Sequence, residues 1–483
     1  MTIASLPFLG FAALVALIYT VVPGLRYRQA AMLLANLCFL GTFISMPLAA
    51  LPFAGFMLAS YAALRLIMAR RAGRGYVVIL IAIIALFFWL KRYSFLPTAS
   101  FLPFSYSTIG LSYIFFRTLH LLIDAHDGAF ETLEVGSRAP GRVGLVAFLN
   151  YTLNFTTLVS GPIQLFPDYA GDHLRRELPS FGWDDFGVAI ERIAIGMFKV
   201  IVLAAILNAM HHNTLAALPT ASSLGERVGE GLLLSVGYTL YLYCNFSGYT
   251  DIVIGAARLG RLHLPENFDY PFSATSFIDF WARWHMTLSN WLKIYVYNPL
   301  VLGLMTRFPS PRLQSLHGIV AFFVTFFLIG LWHGQTSVFA AYGVLLGLGV
   351  SINKLHQITL TGRLGRKRYR ALAARRWYQT VGRGLTFTYF TLSLLCFWGS
   401  WPEIFMVLGS LGLAGCIVLV LAMILVAGLA LALVEAVRGA VQNQSILGSR
   451  YVRTVWTTAL ATIAIVALTL MASPAPDIVY KTF

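Results

Sequence analysis

Long apolar runs alternate with short polar breaks along the whole chain. Runs of roughly 20 apolar residues are long enough to cross a bilayer. The clearest occupy residues 6–23, 30–50, 76–95, 186–208, 318–334, 404–434 and 455–471. Counting the runs that polar residues interrupt, the pattern predicts an all-α polytopic membrane protein with about 11 transmembrane or re-entrant segments. The first run lacks a basic stretch before it, so it reads as a retained helix and not a cleaved leader. The pattern has three parts. Residues 1–100 and 384–471 hold plain spans, whereas in residues 101–355 the apolar helices carry many polar and ionisable side chains. A single membrane domain over residues 1–483 is expected.

Composition supports the membrane reading. Hydrophobic residues make up 58% and charged residues 11%, about half the charge of a soluble domain. Mean hydropathy is +0.75. A net charge of +16 would suggest nucleic acid in a soluble protein. Here the cations collect in short breaks between apolar runs: Arg26 and Arg28; Arg70, Arg71 and Arg74; Arg363 to Arg383; Arg450 and Arg453. The positive-inside rule puts these breaks in the cytoplasm, and so the first residues and the tail 473–483 outside. The expected partner of the dense 363–383 cluster is membrane lipid, not nucleic acid; docking of an acidic carrier protein or a nucleotide-bearing donor is the alternative. Cys38, Cys244, Cys396 and Cys416 lie in apolar stretches without metal or disulfide spacing, and read as small buried hydrophobes. The polar stretch Gly171–Asp185 reads as a surface loop or short amphipathic helix.

Polar side chains at bilayer depth are costly and normally face protein or a cavity, so chemistry is sought in residues 101–355. Four clusters stand out. Arg117, His120 and Asp124 share one helix face. Ser160-Gly161-Pro162 breaks a span. Asn245, Ser247 and Asp251 load one apolar helix. The fourth runs from Pro265-Glu-Asn-Phe-Asp-Tyr-Pro-Phe272 through Asp279-Phe-Trp-Ala-Arg-Trp-His285. The tryptophans at 281, 284 and 291 suit a re-entrant helix, and Gly330-Leu-Trp-His-Gly334 follows in a later apolar run. Acyl transfer to an alcohol needs a base for the hydroxyl proton and a donor for the developing oxyanion. Histidine titrates near neutrality, so His285 and His333 suit those roles. Neither HExxH nor GxSxG occurs, which argues against a zinc protease or a serine triad.

Together these stretches resemble the membrane-bound O-acyltransferase family, in particular its bacterial polysaccharide branch of alginate and cellulose O-acetylation and teichoic-acid D-alanylation subunits. The resemblance covers about residues 100–355 and rests on Val159-Ser-Gly-Pro-Ile163, Asn245-Phe-Ser-Gly-Tyr-Thr-Asp251, Glu266-Asn-Phe-Asp-Tyr-Pro-Phe272, Phe280-Trp-Ala-Arg-Trp-His-Met-Thr-Leu-Ser289 and Gly330-Leu-Trp-His-Gly334. It implies a ring of tilted helices around a central chamber. It makes His333 the first choice for the base and His285 the second active-site histidine, with Asp279, Arg283, Asn245, Asp251 and Ser160 in support. It also implies a bacterial inner membrane, acetyl-CoA as donor with no bound cofactor, a polysaccharide acceptor and a periplasmic or membrane-anchored transferase partner. One departure is Lys293-Ile-Tyr-Val-Tyr-Asn-Pro-Leu300, where alginate-type members carry an acid and a glycine pair.

Ile478-Val-Tyr-Lys-Thr-Phe483 resembles the Phe-x-Tyr-x-x-Phe acyl-transfer motif of D-alanylation partner peptides, with isoleucine in place of the first phenylalanine, and the resemblance implies Tyr480 as an acyl relay. D-alanyl transfer from a carrier protein with phosphopantetheine is therefore the alternative within the class. Outside it stands a transporter or lipid flippase, against which the chain shows no internal repeat.

Overall fold

The computed structural model describes residues 1–44, 46–69, 73–130, 143–442, 449–470, 476 and 478, and the described residues are almost entirely helical. In chain order the α-helices are α1 (Leu6–Val21), α2 (Leu25–Gly41), α3 (Pro47–Met68), α4 (Tyr76–Leu90), α5 (Leu111–His126), α6 (Leu145–Thr152), α7 (Phe166–His173), α8 (Trp183–Phe198), α9 (Ala205–Ala217), α10 (Leu224–Leu259), α11 (Phe277–Trp281), α12 (Met286–Leu292), α13 (Asn298–Arg307), α14 (Gln314–His333), α15 (Ser337–Ala373), α16 (Arg376–Ser393), α17 (Leu395–Trp398), α18 (Trp401–Gln442) and α19 (Arg450–Leu470).

Six helical stretches are long and apolar enough to cross a membrane: Pro47–Met68, Trp183–Thr220, Pro311–His333, Ser337–Ala373, Trp401–Ala440 and Tyr451–Leu470. Leu6–Val21 and Tyr76–Leu90 are apolar but shorter. The expectation of about 11 therefore overshoots among the described residues, because it counted polar-loaded and broken segments such as α5, α10 and the stretch around α11 and α12. The expected run 30–50 is not one helix either. The chain turns between Gly41 and Pro47, and proline, which has no N–H to donate, sits in the first turn of α3.

The chain forms two compact units. The first comprises Met1–Val200, Phe246–Pro265 and Ala464–Phe483. Aromatic rings tie its early helices together, with Phe8 5.8 Å from Phe39 and Phe39 6.0 Å from Phe155. Side-chain amides satisfy backbone where the helices break. Phe155 N–H donates to Asn36 Oδ1 at 2.9 Å, and Asn150 Nδ2 donates to Gln29 O at 2.9 Å. Within this unit α8 meets the second half of α10 through Gly196 and Gly248. A Cβ at Gly196 would lie 2.5 Å from the Gly248 carbonyl, the close approach that small residues allow in membrane helices. Leu174–Gly182 is irregular and α8 begins at a Trp183 that is 88% exposed, as a surface loop with an interfacial tryptophan should.

The second unit comprises Ile201–Asn245 and Glu266–Ile463. α14 and α15 form a hairpin joined by Gly334–Thr336, and α16 packs on α18. Leu218, Leu234, Val407, Leu411, Leu419 and Met423 form a buried aliphatic core here. Of the cysteines, Cys244 and Cys396 are buried but Cys38 is exposed and Cys416 half-buried, so the expectation of four buried thiols holds for two. Apolar α2 presents Cys38 on its outward face, which a hydropathy pattern does not reveal.

Candidate active site

The site residues of the second unit lie on a segment that cannot be one helix. Pro265 and Pro271 break it first. Ser276 then caps α11, its Oγ accepting from the Asp279 N–H at 3.2 Å. α11 lasts only five residues, and α12 begins after His285, which takes the left-handed conformation with φ 45° and ψ 52°. A non-glycine residue held there costs about 1–3 kcal/mol and persists only where its surroundings fix it.

The surroundings are the preceding loop. Asp269 N–H donates to Arg283 O and Met286 N–H to Asn267 O, each at 3.0 Å, and Phe268 bridges Trp284. Asn267 is fully buried. Its Oδ1 accepts from Thr287 N–H at 3.3 Å and Thr287 Oγ1 at 2.7 Å, and lies 3.2 Å from His285 Nδ1. The backbone donor settles the amide's orientation: the atom facing it must be the carbonyl oxygen. His285 Nδ1 must then carry the proton, which puts the lone pair of the neutral ring on Nε2. Asn267 Nδ2 is buried with no acceptor among the described residues.

His333 is the last residue of α14. A Cβ at Gly330 would overlap the backbone of Gly343, so α14 and α15 touch one turn before the histidine and fix where it emerges. The His333 ring lies 5.1 Å from Phe397 and 5.8 Å from Tyr342. His333 is 3% exposed and His285 1%, and the two imidazoles are within electrostatic range of each other. The histidine pair expected from the sequence therefore comes together.

The expected supporting residues divide. Arg283 Nε pairs with Asp279 Oδ1 at 3.0 Å and Arg283 Nη1 with Asp269 at 3.4 Å, while Asp279 Oδ2 accepts from Thr275 N–H at 3.2 Å. Both brace the α11 segment. Asn245 is fully buried in α10 of the same unit. Ser160 and Asp251 belong to the first unit. Ser160 Oγ lies 3.2 Å from the Tyr113 hydroxyl; Asp251 pairs with Arg192 at 2.9 Å and Lys199 at 2.7 Å. Each has a local structural partner there. Tyr480 lies outside the described residues. No group of three or more His, Cys, Asp or Glu is placed to hold a metal among the described residues.

Asn267 was not singled out by the sequence, although it sits inside the Glu266–Phe272 stretch. Its contact crosses 18 residues of irregular chain, and no periodicity announces such a bond.

Six membrane-length helices and two buried histidines, one on the broken segment between α11 and α12 and one at the end of α14, define a polytopic membrane protein with ionisable groups inside its second unit. It belongs to the MBOAT, membrane-bound O-acyltransferase family, whose model matches residues 57–392 and so includes both histidines. It is an O-acyltransferase. Similar proteins include a teichoic acid D-alanyltransferase of Bacillus subtilis, 27% identical over 293 residues, which are 61% of this chain and 69% of that protein. Another, of Streptococcus thermophilus, is 29% identical over 60% of this chain and 68% of its own length. A probable alginate O-acetylase of Pseudomonas fluorescens is 29% identical, over 51% of this chain and 44% of that protein.

Proposed function

We propose that the enzyme takes an acetyl group from acetyl-CoA at the cytoplasmic face and passes it toward hydroxyls of a cell-envelope polysaccharide outside. The observation that carries this reading is the buried His285–His333 pair, with His285 oriented by Asn267. His333 acts as base: it takes the hydroxyl proton as the oxygen attacks the thioester carbonyl, and returns the proton to the departing thiolate. With its proton on Nδ1, the neutral His285 ring presents an acceptor at Nε2, so it takes no part as an oxyanion donor and helps set the polarity of the site around the base. Asn267 Nδ2, beside it, is a donor suited to the substrate carbonyl. The basic breaks mark the cytoplasmic side of an inner membrane, in which the first residues and the segment 473–483 lie outside.

Tyr480 is the proposed relay. It would receive the acyl group as an aryl ester, a better leaving group than an alkyl ester, and a periplasmic or membrane-anchored transferase would complete the transfer. Two neighbours support a held tail: Ile478 is buried, and the Pro476 carbonyl accepts from the Tyr249 hydroxyl at 3.1 Å. Removing residues 480–483 is expected to abolish glycan acylation at unchanged protein level, and full acylation after truncation would end the relay idea.

A second reading has its own support. The D-alanyltransferase relatives match over 68–69% of their length, against 44% for the Pseudomonas fluorescens alginate protein. In that case the donor is an aminoacyl carrier protein with phosphopantetheine. Base-labile acyl groups on envelope glycans, compared between wild type and His333→Ala at matched membrane levels, separate the two. Loss of acetate supports the first, loss of alanine the second, and an unchanged ester content refutes both.

A further inference from the structure

A groove of about 600 Å³ opens in the second unit between α15 and α16, with neither His285 nor His333 in its wall. This is a volume typical of small-ligand sites. α15 lines it with Ile352, Asn353 and His356, and α16 with Trp377, Val381 and Leu385. Its chemistry changes along its length. The end walled by Tyr369, Ala373 and Trp377 belongs to a cationic stretch of chain: residues 363–376 hold seven Arg and Lys and no acid, and although none of these lines the groove they flank its mouth in sequence. Those of them whose side chains stand around the kink at Gly365 are exposed, and none is ion-paired among the described residues. The walls further in are apolar and open sideways, with Ile352 59%, Val381 45% and Leu385 50% exposed. Trp377 sits between the two zones, 56% exposed, where an amphipathic ring marks a membrane interface. From Trp377 to Tyr389, the last α16 residue of the wall, the helix descends about 18 Å. The hydrocarbon of one leaflet is about 15 Å deep.

We propose that this groove binds one anionic phospholipid of the leaflet that meets the basic cluster, its phosphate among the cations at the mouth and an acyl chain along Ile352, Val381 and Leu385. A nucleotide-bearing donor shares the phosphate chemistry but has no use for an aliphatic wall open to the side and one leaflet deep. The lipid also reaches the catalytic segment. Phe277, the first residue of α11, lines the groove, and Asn353 Oδ1, in the same wall, accepts from the Ile278 N–H at 3.2 Å. An occupied groove therefore braces the start of the segment that carries His285.

The full chain is purified, placed in nanodiscs of phosphatidylcholine with a minor share of phosphatidylglycerol, and its retained lipid read by native mass spectrometry. Wild type is expected to keep one phosphatidylglycerol in preference to phosphatidylcholine. Val381→Trp fills the groove from its open side, and the paired change Arg375→Glu with Arg376→Glu reverses exposed charge at the mouth without touching the core. Each should lower retention roughly tenfold or more, whereas Arg375→Lys with Arg376→Lys should keep it. Equal retention in wild type and both disruptive variants overturns the proposal. So does loss of coenzyme A binding in Val381→Trp with lipid retention unchanged, which would make the groove a donor site. Retention is read without a transfer assay, so failure of the acyl-transfer reading leaves this result standing, and the reverse.

Discussion

Both units bury polar side chains at depth, and they use them differently. In the first unit Arg117 is 1% exposed and donates to the carbonyls of Tyr151, Thr152 and Thr157 at 3.3, 2.9 and 2.7 Å, and to Thr157 Oγ1 at 2.6 Å. His120 Nε2 accepts the Phe166 N–H at 3.2 Å, which leaves the Nδ1 proton for the Phe116 carbonyl at 3.3 Å. Arg117 satisfies carbonyls at the end of α6 and just beyond it, and His120 the first N–H of α7, groups that would otherwise be orphaned away from water. In the second unit the polar residue that fixes His285 is another side chain, Asn267, and the histidine sits at a strained backbone position. One cluster supports the fold where a helix breaks. The other holds an imidazole in one tautomer at a cost in backbone energy, as functional sites do. Burial and residue type are alike in the two; the partner and the backbone separate them.

The comparison is broken most directly by exchanging the outcomes. His333→Ala and His285→Ala are expected to leave the protein monodisperse in detergent and to lower acyl transfer by roughly 10²–10⁴-fold. Arg117→Leu should do the reverse. It strands buried carbonyls at about 1–3 kcal/mol each, and the monodisperse species itself should be lost on size exclusion. If Arg117→Leu gives folded, inactive protein, the first cluster takes part in the chemistry and the distinction fails.

Asn267→Leu sharpens the same contrast at a smaller scale. It removes the acceptor that sets the His285 tautomer, and the loss of such an orienting partner typically costs 10–100-fold. Transfer should fall by about that factor through kcat, with KM for the donor nearly constant. A purely structural Asn267 would instead show normal kcat in the surviving folded protein.

Much of this was legible in the sequence, for physical reasons. Apolar run length predicted the helical membrane character and placed α14 and α19 to within about five residues, whereas the run 186–208 overran α8, which ends at Phe198, and the run 404–434 stopped short of α18, which ends at Gln442. The polar load of residues 101–355 pointed to the histidines, because ionisable groups at depth need a reason. What escaped was non-local. The Arg117, His120 and Asp124 cluster looks no less chemical in the chain than the Asp279, Arg283 and His285 cluster, since the partners that distinguish them are backbone carbonyls in one case and an asparagine 18 residues away in the other. The break at Ser160-Gly161-Pro162 was visible; that Arg117, from another helix, satisfies the carbonyls of Tyr151, Thr152 and Thr157 ahead of it was not. Span counting failed where helices stop inside the apolar run, as at His285, because a left-handed residue leaves no compositional mark.

Asp251 gives the smallest and most exacting test. Its motif, Asn245 to Asp251, looked like part of the site, yet its carboxylate is taken by Arg192 and Lys199 within the first unit. Asp251→Asn leaves two cations sharing one neutral oxygen. A buried pair broken this way costs about 3–5 kcal/mol, but these side chains are 13–27% exposed, so water screens part of it and about 1–2 kcal/mol is expected. The thermal unfolding temperature should fall, while activity per folded molecule should stay within roughly twofold, far from the 10²-fold and larger losses of a proton-handling group. Unfolding followed by intrinsic fluorescence, with transfer normalised to the folded fraction, reads both quantities on one sample. A loss beyond tenfold at unchanged stability would move Asp251 into the chemistry and show that ion pairing in the first unit is felt at the histidines.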